Sequence, residues 1–430
     1  MRENYSKDDI MRLVEEEDVE FIRLQFTDIL GNLKNIAITS SQLQKALNNR
    51  CTFDCASIAG FEGCEEGELL LIPDPSTLAI FPWRPQQGKV ARMICDVYNL
   101  DGTPFAGDSR YVLKKAIAKA AEMGYSFEVG QESEFFLFHT DDNTLPTTIT
   151  HEQAGYFDCS PLDFGENARR DMVLTLEDMG FEIESSHHEA ARAQHEIKFK
   201  SDEVLATADN ILTFRLAVKT IAKRHGLHAT FMPKPKEDEN GSGMHIRMVL
   251  KKDGKNIFTD KNDKYGLSKE AYCFIGGLLR YVKGMAAITN PLVNSYKRLV
   301  PGGEVPMNIG WGMRAKNKVV CVYKDLDGEI SIELRSPDPA ANPYLTLAVC
   351  LQAGMEGICQ KLLPGDEVQG TMPESLTAAV AYMEQEKEFF TNGIVGEYLF
   401  DKYVAKKKEE WSRYRKVVTA WEVDEYLYKY

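Results

Sequence analysis

Two glutamates spaced two residues apart in an apolar run are the feature that most restricts how this chain can fold. Glu132 and Glu134 lie in the segment GQESEFFLF, which has the alternation and the aromatic content of a β-strand. In a strand, side chains two residues apart share one face and lie about 7 Å apart. Such a pair can flank a hard cation, although a strand with a charged, water-exposed face has the same pattern.

A second acidic segment, SHHEAARAQHEI, concentrates carboxylates and imidazoles in a short stretch. Carboxylate oxygens and imidazole nitrogens are common side-chain ligands of divalent metals. On its own the segment is compatible with a zinc hydrolase site, for which zinc content and chelator-sensitive hydrolysis would be the tests. The candidate ligands are His187, His188, Glu189, His195 and Glu196.

A third segment, EISIEL continuing to Arg335, alternates apolar and polar residues as a strand does. One face would carry Ile330, Ile332 and Leu334, and the other Glu329, Ser331, Glu333 and Arg335. The polar face predicts either the lining of a site or the water-exposed side of an edge strand.

The composition favours an acidic, water-soluble globular protein. With 27% charged residues and a net charge of −14, the chain shows no basic patch that would suit a nucleic acid. Its start lacks the apolar core of a signal peptide, and no run approaches the roughly 18 apolar residues of a membrane span. We therefore expect a cytoplasmic protein without a membrane partner. The nine cysteines have no C-x-x-C spacing, so we expect reduced core residues.

At 430 residues the chain is long enough for two domains of unequal size. The start has the pattern of a capped helix, and VEFIRLQF and LKNIAI alternate as the strands of a hairpin around TDILGN. The stretch NLDGTPFAGD then suits a connector, and long amphipathic helices ending at Gly124 and Gly226 alternate with strands beyond it. We predict an α+β chain with domains over residues 1–103 and 104–430.

Common signatures of nucleotide and nucleophile sites are missing from the sequence. It has no Walker A string, no G-x-G-x-x-G after a strand and no G-x-S-x-G elbow. The glycine-rich segments ENGSGMH and PGGE place flexible backbone near Asn240, His245 and Glu304, although plain turns have the same pattern. Any nucleotide would have to be bound in another way.

Taken together, seven segments resemble type I glutamine synthetases in their order and approximate spacing, over nearly the whole chain. They are FTDILGNLKN, FDCASIAGF, ESEFFLF, HHEAARAQHEI, FMPKPKEDENGSGMH, NPLVNSYKRLVPGGEVP and ELRSPDPAANPYL. The resemblance implies an N-terminal β-grasp domain and a C-terminal catalytic domain with an antiparallel strand platform. It also implies a homo-oligomer, a dodecamer of two stacked hexameric rings, with sites between neighbouring subunits.

The resemblance further implies ATP-dependent ligation of ammonium to L-glutamate through γ-glutamyl phosphate, with two divalent metals per site. Mostly oxygen ligands favour Mg²⁺ or Mn²⁺, and such ions neutralise the crowded oxygens in phosphoryl transfer. The ligands implied for the first metal are Glu134, Glu189 and Glu196. Those implied for the second metal are Glu132, His245 and Glu333.

Roles in substrate binding follow from the same resemblance. The implied glutamate-binding residues are Asn240, Gly241, Arg298 and Arg335, and Arg298 also counts as catalytic. The implied ammonium pocket consists of Asp54, Ser57, Tyr156 and Glu189, and the nucleotide site includes Glu184, Arg247 and Lys316. Asp54 would take a proton from ammonium, and Glu304 would lie on a flap that excludes water.

The sequence departs from the family mainly around the nucleotide and the transferred phosphate. Lys316, Cys321 and Ser331 stand where the family usually has arginines, and Arg247 stands where it often has His or Asn. Lysine cannot reproduce the bidentate contact of arginine, and losing one donor to the phosphoryl group predicts a rate lower by about two to three orders of magnitude. The alternative to a glutamate–ammonia ligase is therefore a paralogue with feeble catalysis, with another amine substrate, or with a glutamate-sensing role.

Overall fold

The computed structural model describes residues 5–64, 67–84, 86–301, 305–365 and 367–430. Its helices are α1 Lys7–Glu16, α2 Leu43–Leu47, α3 Ser109–Glu122, α4 Glu166–Asp178, α5 Val204–Arg224, α6 Lys269–Thr289, α7 Ser295–Arg298, α8 Pro343–Gln360, α9 Leu376–Gln385, α10 Lys387–Thr391, α11 Glu397–Tyr414 and α12 Ala420–Tyr426. Its strands are β1 Val19–Thr27, β2 Leu33–Thr39, β3 Cys51–Asp54, β4 Glu68–Pro73, β5 Ala79–Ile80, β6 Lys89–Tyr98, β7 Tyr125–His139, β8 Ile183–His188, β9 Gln194–Glu203, β10 Leu227–Thr230, β11 Met244–Lys252, β12 Lys255–Asn256, β13 Asn308–Met313, β14 Lys318–Lys324 and β15 Ile330–Leu334.

The N-terminal part of the chain is built on a small sheet. Among the described residues it has six strands in the order β2-β1-β6-β4-β3, with β5 also paired to β6. The hairpin predicted from the sequence is confirmed, since β1 and β2 are antiparallel with Leu24 opposite Ile36, whereas β1 and β6 are parallel. Ser6 caps α1 in a capping box with Asp9, as the pattern at the start of the chain predicts.

A larger sheet forms the platform of the C-terminal part. In the described ranges its nine strands follow the path β13-β14-β15-β11-β7-β9-β8, with β10 paired to β7 and β12 to β11. Neighbouring strands are antiparallel except β13 and β14, which are parallel. The predicted α+β class and antiparallel platform are confirmed. Strand β7, which carries Glu132 and Glu134, lies near the middle of this sheet between β11 and β9.

Long helices cover the apolar side of the larger sheet. Helix α5 packs on β7, β9 and β10, and α6 packs on α8. One continuous core runs from Ile10 in α1 to Val404 in α11. Alternation along the strands directs the opposite side chains, including the glutamates of β7, away from this core. Within the described ranges, every helix is too short or too polar to span a lipid bilayer.

A buried arginine joins the two parts of the chain. Arg110, near the start of α3, pairs with Asp74 and Asp96 of the N-terminal part at 2.7 Å each. It also pairs with Asp209 of α5 at 2.9 Å, and its side chain is only 1% exposed. Removing one partner from a buried ion pair leaves an uncompensated charge, so these contacts hold the two parts together.

The prediction that the cysteines are reduced core residues is wrong in two respects. Cys55 and Cys64 form a disulfide in the loop after β3, and Cys159 and Cys359 are exposed. The loop brings the Cα atoms of the bonded pair to 6.7 Å, within the range that a disulfide can span. A spacing of nine residues in a turn-rich segment has no recognisable pattern, which is why sequence reasoning missed the bond.

Candidate active site

An open cavity of about 580 Å³ lies against the polar face of the larger sheet. It collects side chains from strands, loops and a short helix that are far apart in sequence. The residues predicted from the sequence that line it are Glu132, Glu134, Tyr156, Glu189, Glu196, Asn240, Gly241, His245, Arg298, Lys316 and Arg335. Most of the predicted site therefore meets in one place.

Glu134, Glu189 and Glu196 form the first carboxylate cluster. Glu134 of β7 and Glu196 of β9 are directly opposite each other in an antiparallel pair. Glu189 lies in the turn after β8, where its backbone N–H donates to the carbonyl of Gln194 at 2.8 Å. The possible ligand atoms of His187, Glu189 and Glu196 all lie within 4.8 Å of one another. His187, Glu189 and Glu196 can therefore surround a single cation, with Glu134 opposite Glu196 on the neighbouring strand.

Mutual repulsion acts within the first carboxylate cluster, and nearby Arg298, His245 and Lys198 offset only part of it. In the part of the chain that the structure describes, none of its members is ion-paired with a lysine or an arginine, and Glu189 contacts only the imidazole of His187 at 2.9 Å among basic groups. Burial, reinforced by Glu134, Glu132 and Glu189, raises the pKa of Glu196 to about 9. A divalent cation would offset this repulsion.

Glu132, His245 and Glu333 form the second carboxylate cluster, whose charge is already offset. Nη2 of Arg247 lies 3.1 Å from Glu132 Oε1 and 3.2 Å from Glu333 Oε2. Nζ of Lys198 lies 3.1 Å from the same oxygen of Glu132. Burial would raise the pKa of Glu132, but His245, Arg247 and Lys198 together hold it well below its ordinary value.

Arg298 and the loop before β11 form the wall predicted to bind glutamate. Arg298 is 4% exposed, and its Nη1 donates to the carbonyl of Ser336 at 2.9 Å. Gly241 packs so closely that a Cβ at this position would overlap the carbonyl oxygen of Pro233 and lie 3.1 Å from Cγ of Arg298. Glycine therefore allows the loop, with Asn240, to approach the arginine.

Two guanidinium groups meet at Tyr323, which lines the cavity. Nη1 of Arg335 lies 2.6 Å from Glu333 and donates to the hydroxyl of Tyr323 at 3.3 Å. The guanidinium carbon of Arg247 lies 4.6 Å from the centre of the Tyr323 ring, in a cation–π contact. Tyr323 thus connects an arginine of the predicted glutamate site with one of the predicted nucleotide site.

The remaining positions of the predicted nucleotide site surround these groups. Lys316 lines the cavity and is exposed, whereas Cys321 is fully buried in β14. Ser331 lies in β15 and is half-buried. Glu184 of β8 forms an ion pair with Lys198 at 3.1 Å. Of the side chains at the positions of the missing arginines, only that of Lys316 is charged, so Arg247 and Arg335 supply the guanidinium groups here.

Six predicted residues are not among the described residues that line the cavity. Arg247 and Glu333 contact residues that do line it, and Glu184 pairs with Lys198. The other three are Asp54, Ser57 and Glu304. Asp54 and Ser57 are exposed at and after the end of β3, and in the described structure neither lines the cavity. Asp54 instead accepts a hydrogen bond from the backbone of Ala56 at 2.8 Å. Glu304 lies outside the described residues. Tyr156 is at the rim and is 56% exposed, so the predicted ammonium pocket is incomplete within one chain.

The five-residue zinc site considered from the sequence does not form. His187 faces the cavity, but His188 and His195 are fully buried beside Glu152, whose carboxylate lies 2.9 Å from Nε2 of His188. Consecutive residues of a strand point to opposite faces, so His187 and His188 cannot share a site.

Sequence reasoning missed three residues that shape the cavity. Gln194 donates from Nε2 to Glu134 at 3.0 Å and to the carbonyl of Gly241 at 3.1 Å, so it links the first carboxylate cluster to the glutamate wall. Lys198 and Tyr323 contact the second cluster. Gln194 and Lys198 are each two residues from Glu196 on β9, so strand alternation could have predicted that they share its face.

Acidic clusters and a buried arginine in one cavity are the arrangement of an enzyme active site, and comparisons with known proteins identify the family. The family description "Glutamine synthetase, beta-Grasp domain" matches residues 18–100, and "Glutamine synthetase, catalytic domain" matches residues 106–426. A glutamine synthetase of Clostridium saccharobutylicum is 55% identical over an alignment of 442 positions that covers 99% of each chain.

Solved structures agree with the sequence comparison. The glutamine synthetase of Plasmodium falciparum has a TM-score of 0.91 at 25% identity, covering 98% of this chain and 99% of its own. GmaS in complex with ADP has a TM-score of 0.89 at 30% identity, covering 97% of this chain and 99% of its own. The chain belongs to the glutamine synthetase family, and the predicted β-grasp and catalytic domains are confirmed as its fold.

Proposed function

We propose that the protein joins ammonia to L-glutamate at the expense of ATP, giving glutamine, ADP and phosphate. The observation that carries the proposal is the first carboxylate cluster, without a lysine or arginine ion pair in the described ranges, in one cavity with the buried Arg298. The γ-carboxylate of glutamate would attack the γ-phosphorus of ATP and release ADP. Ammonia would then attack the acyl carbon of γ-glutamyl phosphate and release phosphate.

The donor set fits Mg²⁺ or Mn²⁺, because it consists mainly of carboxylate oxygens. The first carboxylate cluster would hold one ion and the second carboxylate cluster another. Such ions supply positive charge to the crowded phosphate and carboxylate oxygens when they are bound. Arg298 and Arg335 would orient the substrate, since a guanidinium makes two parallel hydrogen bonds to a carboxylate. Glu184, Arg247 and Lys316 would contact the nucleotide.

We further propose that the ammonium pocket is completed by a neighbouring copy of the chain, in a dodecamer. The support is that Asp54 and Ser57 are exposed and away from the cavity, whereas Tyr156 and Glu189 line it. Asp54 would remove a proton from ammonium so that neutral ammonia is the nucleophile. Glu304 would lie on a flap that closes the site against water.

We also propose that residues 1–103 and 104–430 are the two domains. The proposed location of the protein is the cytoplasm.

The alternative of a paralogue with another role is not favoured. Full-length relatives that are 46–55% identical carry the name glutamine synthetase. In addition, Arg247 and Arg335 supply guanidinium groups beside Tyr323, where the phosphates would bind, despite the substitutions at the usual arginine positions.

The direct test is to assay glutamine and ADP together, using purified protein with glutamate, ATP, ammonium and Mg²⁺ or Mn²⁺. We expect equal yields of both products, and neither product when the metal is removed with a chelator. ADP without glutamine would point to a different amine, and absence of both products in a folded, metal-loaded protein would refute the proposed function.

Mixed oligomers would test whether sites are shared between subunits. Asp54→Ala and Glu196→Gln chains should each be nearly inactive alone, but their co-expression should restore about a quarter of wild-type activity, since one neighbouring pair in four has both residues intact. Glu134→Gln co-expressed with Glu196→Gln is the matched control, because both changes affect the same subunit's cluster. Equal activity of the two mixtures would rule out shared sites.

A further inference from the structure

The two carboxylate clusters differ in how they would respond to a metal ion. The first contains three carboxylates and no ion pair with lysine or arginine in the described ranges, so an incoming cation has no such side chain to displace. In the second, both glutamates are already paired with Arg247, and each has one further cation from the chain. An ion that binds there has to compete with those side chains.

Arg247 is the group that such an ion would have to displace. Its strand position opposite Glu333 places one nitrogen, Nη2, between the carboxylates of Glu132 and Glu333. Its side chain is 32% exposed, so the guanidinium is not locked in the core. Its Nε is buried and has no hydrogen-bond partner among the described residues. A reoriented Arg247 would therefore gain a hydrogen bond that this nitrogen lacks in the present arrangement.

Tyr323 provides a surface on which the guanidinium can turn. The ring lies 4.6 Å below the guanidinium carbon, and a flat guanidinium keeps this contact through a range of in-plane orientations. Both residues are beside the cavity, which Tyr323 lines. A movement toward the cavity would bring the fork of Arg247 to a phosphate without loss of the ring contact.

We propose that Arg247 is a built-in competitor of the second metal ion, and that the phosphates of a bound nucleotide draw its guanidinium away from Glu132 and Glu333. The proposal deepens the proposed function, on which it rests for the identity of the nucleotide. Without nucleotide, the chain itself neutralises the second carboxylate cluster. With nucleotide, Arg247 pairs with phosphate oxygens, and the freed carboxylates accept the metal ion.

The size of the effect follows from competition. If Arg247 covers the carboxylates for 90–99% of the time, the apparent affinity for the second ion falls by about tenfold to a hundredfold. Replacing Arg247 should therefore raise the affinity for the second ion by the same factor when no nucleotide is bound. The same replacement should weaken nucleotide binding by about tenfold, because one charge-assisted contact to phosphate is lost.

Mn²⁺ titration of the metal-free protein, followed by the electron paramagnetic resonance signal of free Mn²⁺, tests this without turnover. For wild type we expect one tight ion per chain without ADP and a second only with ADP. For Arg247→Met we expect the second ion to bind without ADP, about tenfold to a hundredfold more tightly than in wild type. ADP affinity of the same variant, measured by calorimetry, should fall.

Arg280→Met is the matched control. Arg280 pairs with Glu386 at 2.6 Å and lies 5.0 Å from the centre of the Tyr281 ring, so it has the same contacts outside the candidate active site. Its replacement should leave both Mn²⁺ affinities unchanged. Arg247→His serves as a second variant, and retention of the first tight ion shows that either variant has kept the fold of the cavity.

Two results would overturn the proposal. One is a wild-type protein that binds two ions equally well with and without ADP. The other is an Arg247 variant that keeps the first ion but binds the second no more tightly than wild type. Neither result depends on glutamine formation, so the proposal can fail while the ligase assay succeeds, and the reverse.

Discussion

Replacing Glu196 with glutamine is expected to abolish ligase activity while stabilising the metal-free protein. Glutamine keeps the shape of the side chain but provides no anionic ligand, so the first ion would bind weakly. We expect kcat/KM to fall at least about a thousandfold, or about 4 kcal/mol of transition-state stabilisation. The metal-free protein should gain stability because the change removes one of three closely packed carboxylates.

The same variant should change the pH dependence of stability. In the folded, metal-free protein the pKa of Glu196 is raised from 4.5 to about 9, first by burial and then by its acidic neighbours. Between these pH values the folded chain holds a proton that the unfolded chain releases, so its stability falls as the pH rises, by at most about 1.4 kcal/mol per pH unit from this residue. Glutamine has no such proton, so this contribution disappears.

Urea unfolding in the presence of a chelator, between pH 5 and pH 9, would measure both effects. Glu128→Gln is the control on the neighbouring strand β7, since Glu128 pairs with Lys251 and does not line the cavity in the described structure. Its activity should remain close to that of wild type. A Glu196→Gln protein with normal activity, or with the wild-type pH slope, would show that this carboxylate is not part of a cation site.

Replacing Arg298 with methionine is expected to remove glutamate binding and leave metal binding intact. The guanidinium is buried beside Gly241, and of the two arginines expected to orient glutamate only Arg335 would remain. Loss of a charged, bidentate contact to a carboxylate costs about 2–4 kcal/mol, which should raise the KM for glutamate by about thirtyfold to a thousandfold. Arg298→Lys should recover part of this loss, because it restores the charge but not the fork.

Separate titrations would distinguish this role from a general loss of structure. Glutamate binding, measured by calorimetry in the presence of Mn²⁺, should disappear in Arg298→Met, whereas the first Mn²⁺ should bind as in wild type. Arg280→Met should resemble wild type in both measurements. A normal KM for glutamate in the methionine variant would exclude Arg298 from the substrate site.

Local patterns in the sequence predicted which segments form the strands of the site, but they did not predict which of these strands are neighbours. The alternation around Glu132 and Glu134 predicted a strand with both carboxylates on one face, and β7 has this arrangement. Alternation cannot reveal which strands are neighbours, because strand order and register depend on packing between distant segments. The facing of Glu134 and Glu196 therefore became visible only in the sheet.

Ion pairs were beyond sequence reasoning for the same reason. Arg247 and Lys198 lie on strands that flank β7, and their contacts with Glu132 depend on the register of two separate strand pairs. The exposed position of Asp54, away from the cavity, likewise required the three-dimensional fold. The disulfide of Cys55 and Cys64 depended on the path of a single loop, for which residue type alone has little information.

The ion pairs of Arg110 restrict how a catalytic cycle can proceed. A swinging motion of the N-terminal part relative to the platform would separate Arg110 from Asp74 and Asp96 or from Asp209, at a cost of about 3–5 kcal/mol for each broken buried pair. We therefore expect the N-terminal part and the platform of each chain to keep the same relative orientation during catalysis. Short loops at the cavity rim would then open and close the site for substrates. Asp54 would keep a fixed distance from the cavity of its own chain while it contacts the neighbouring chain.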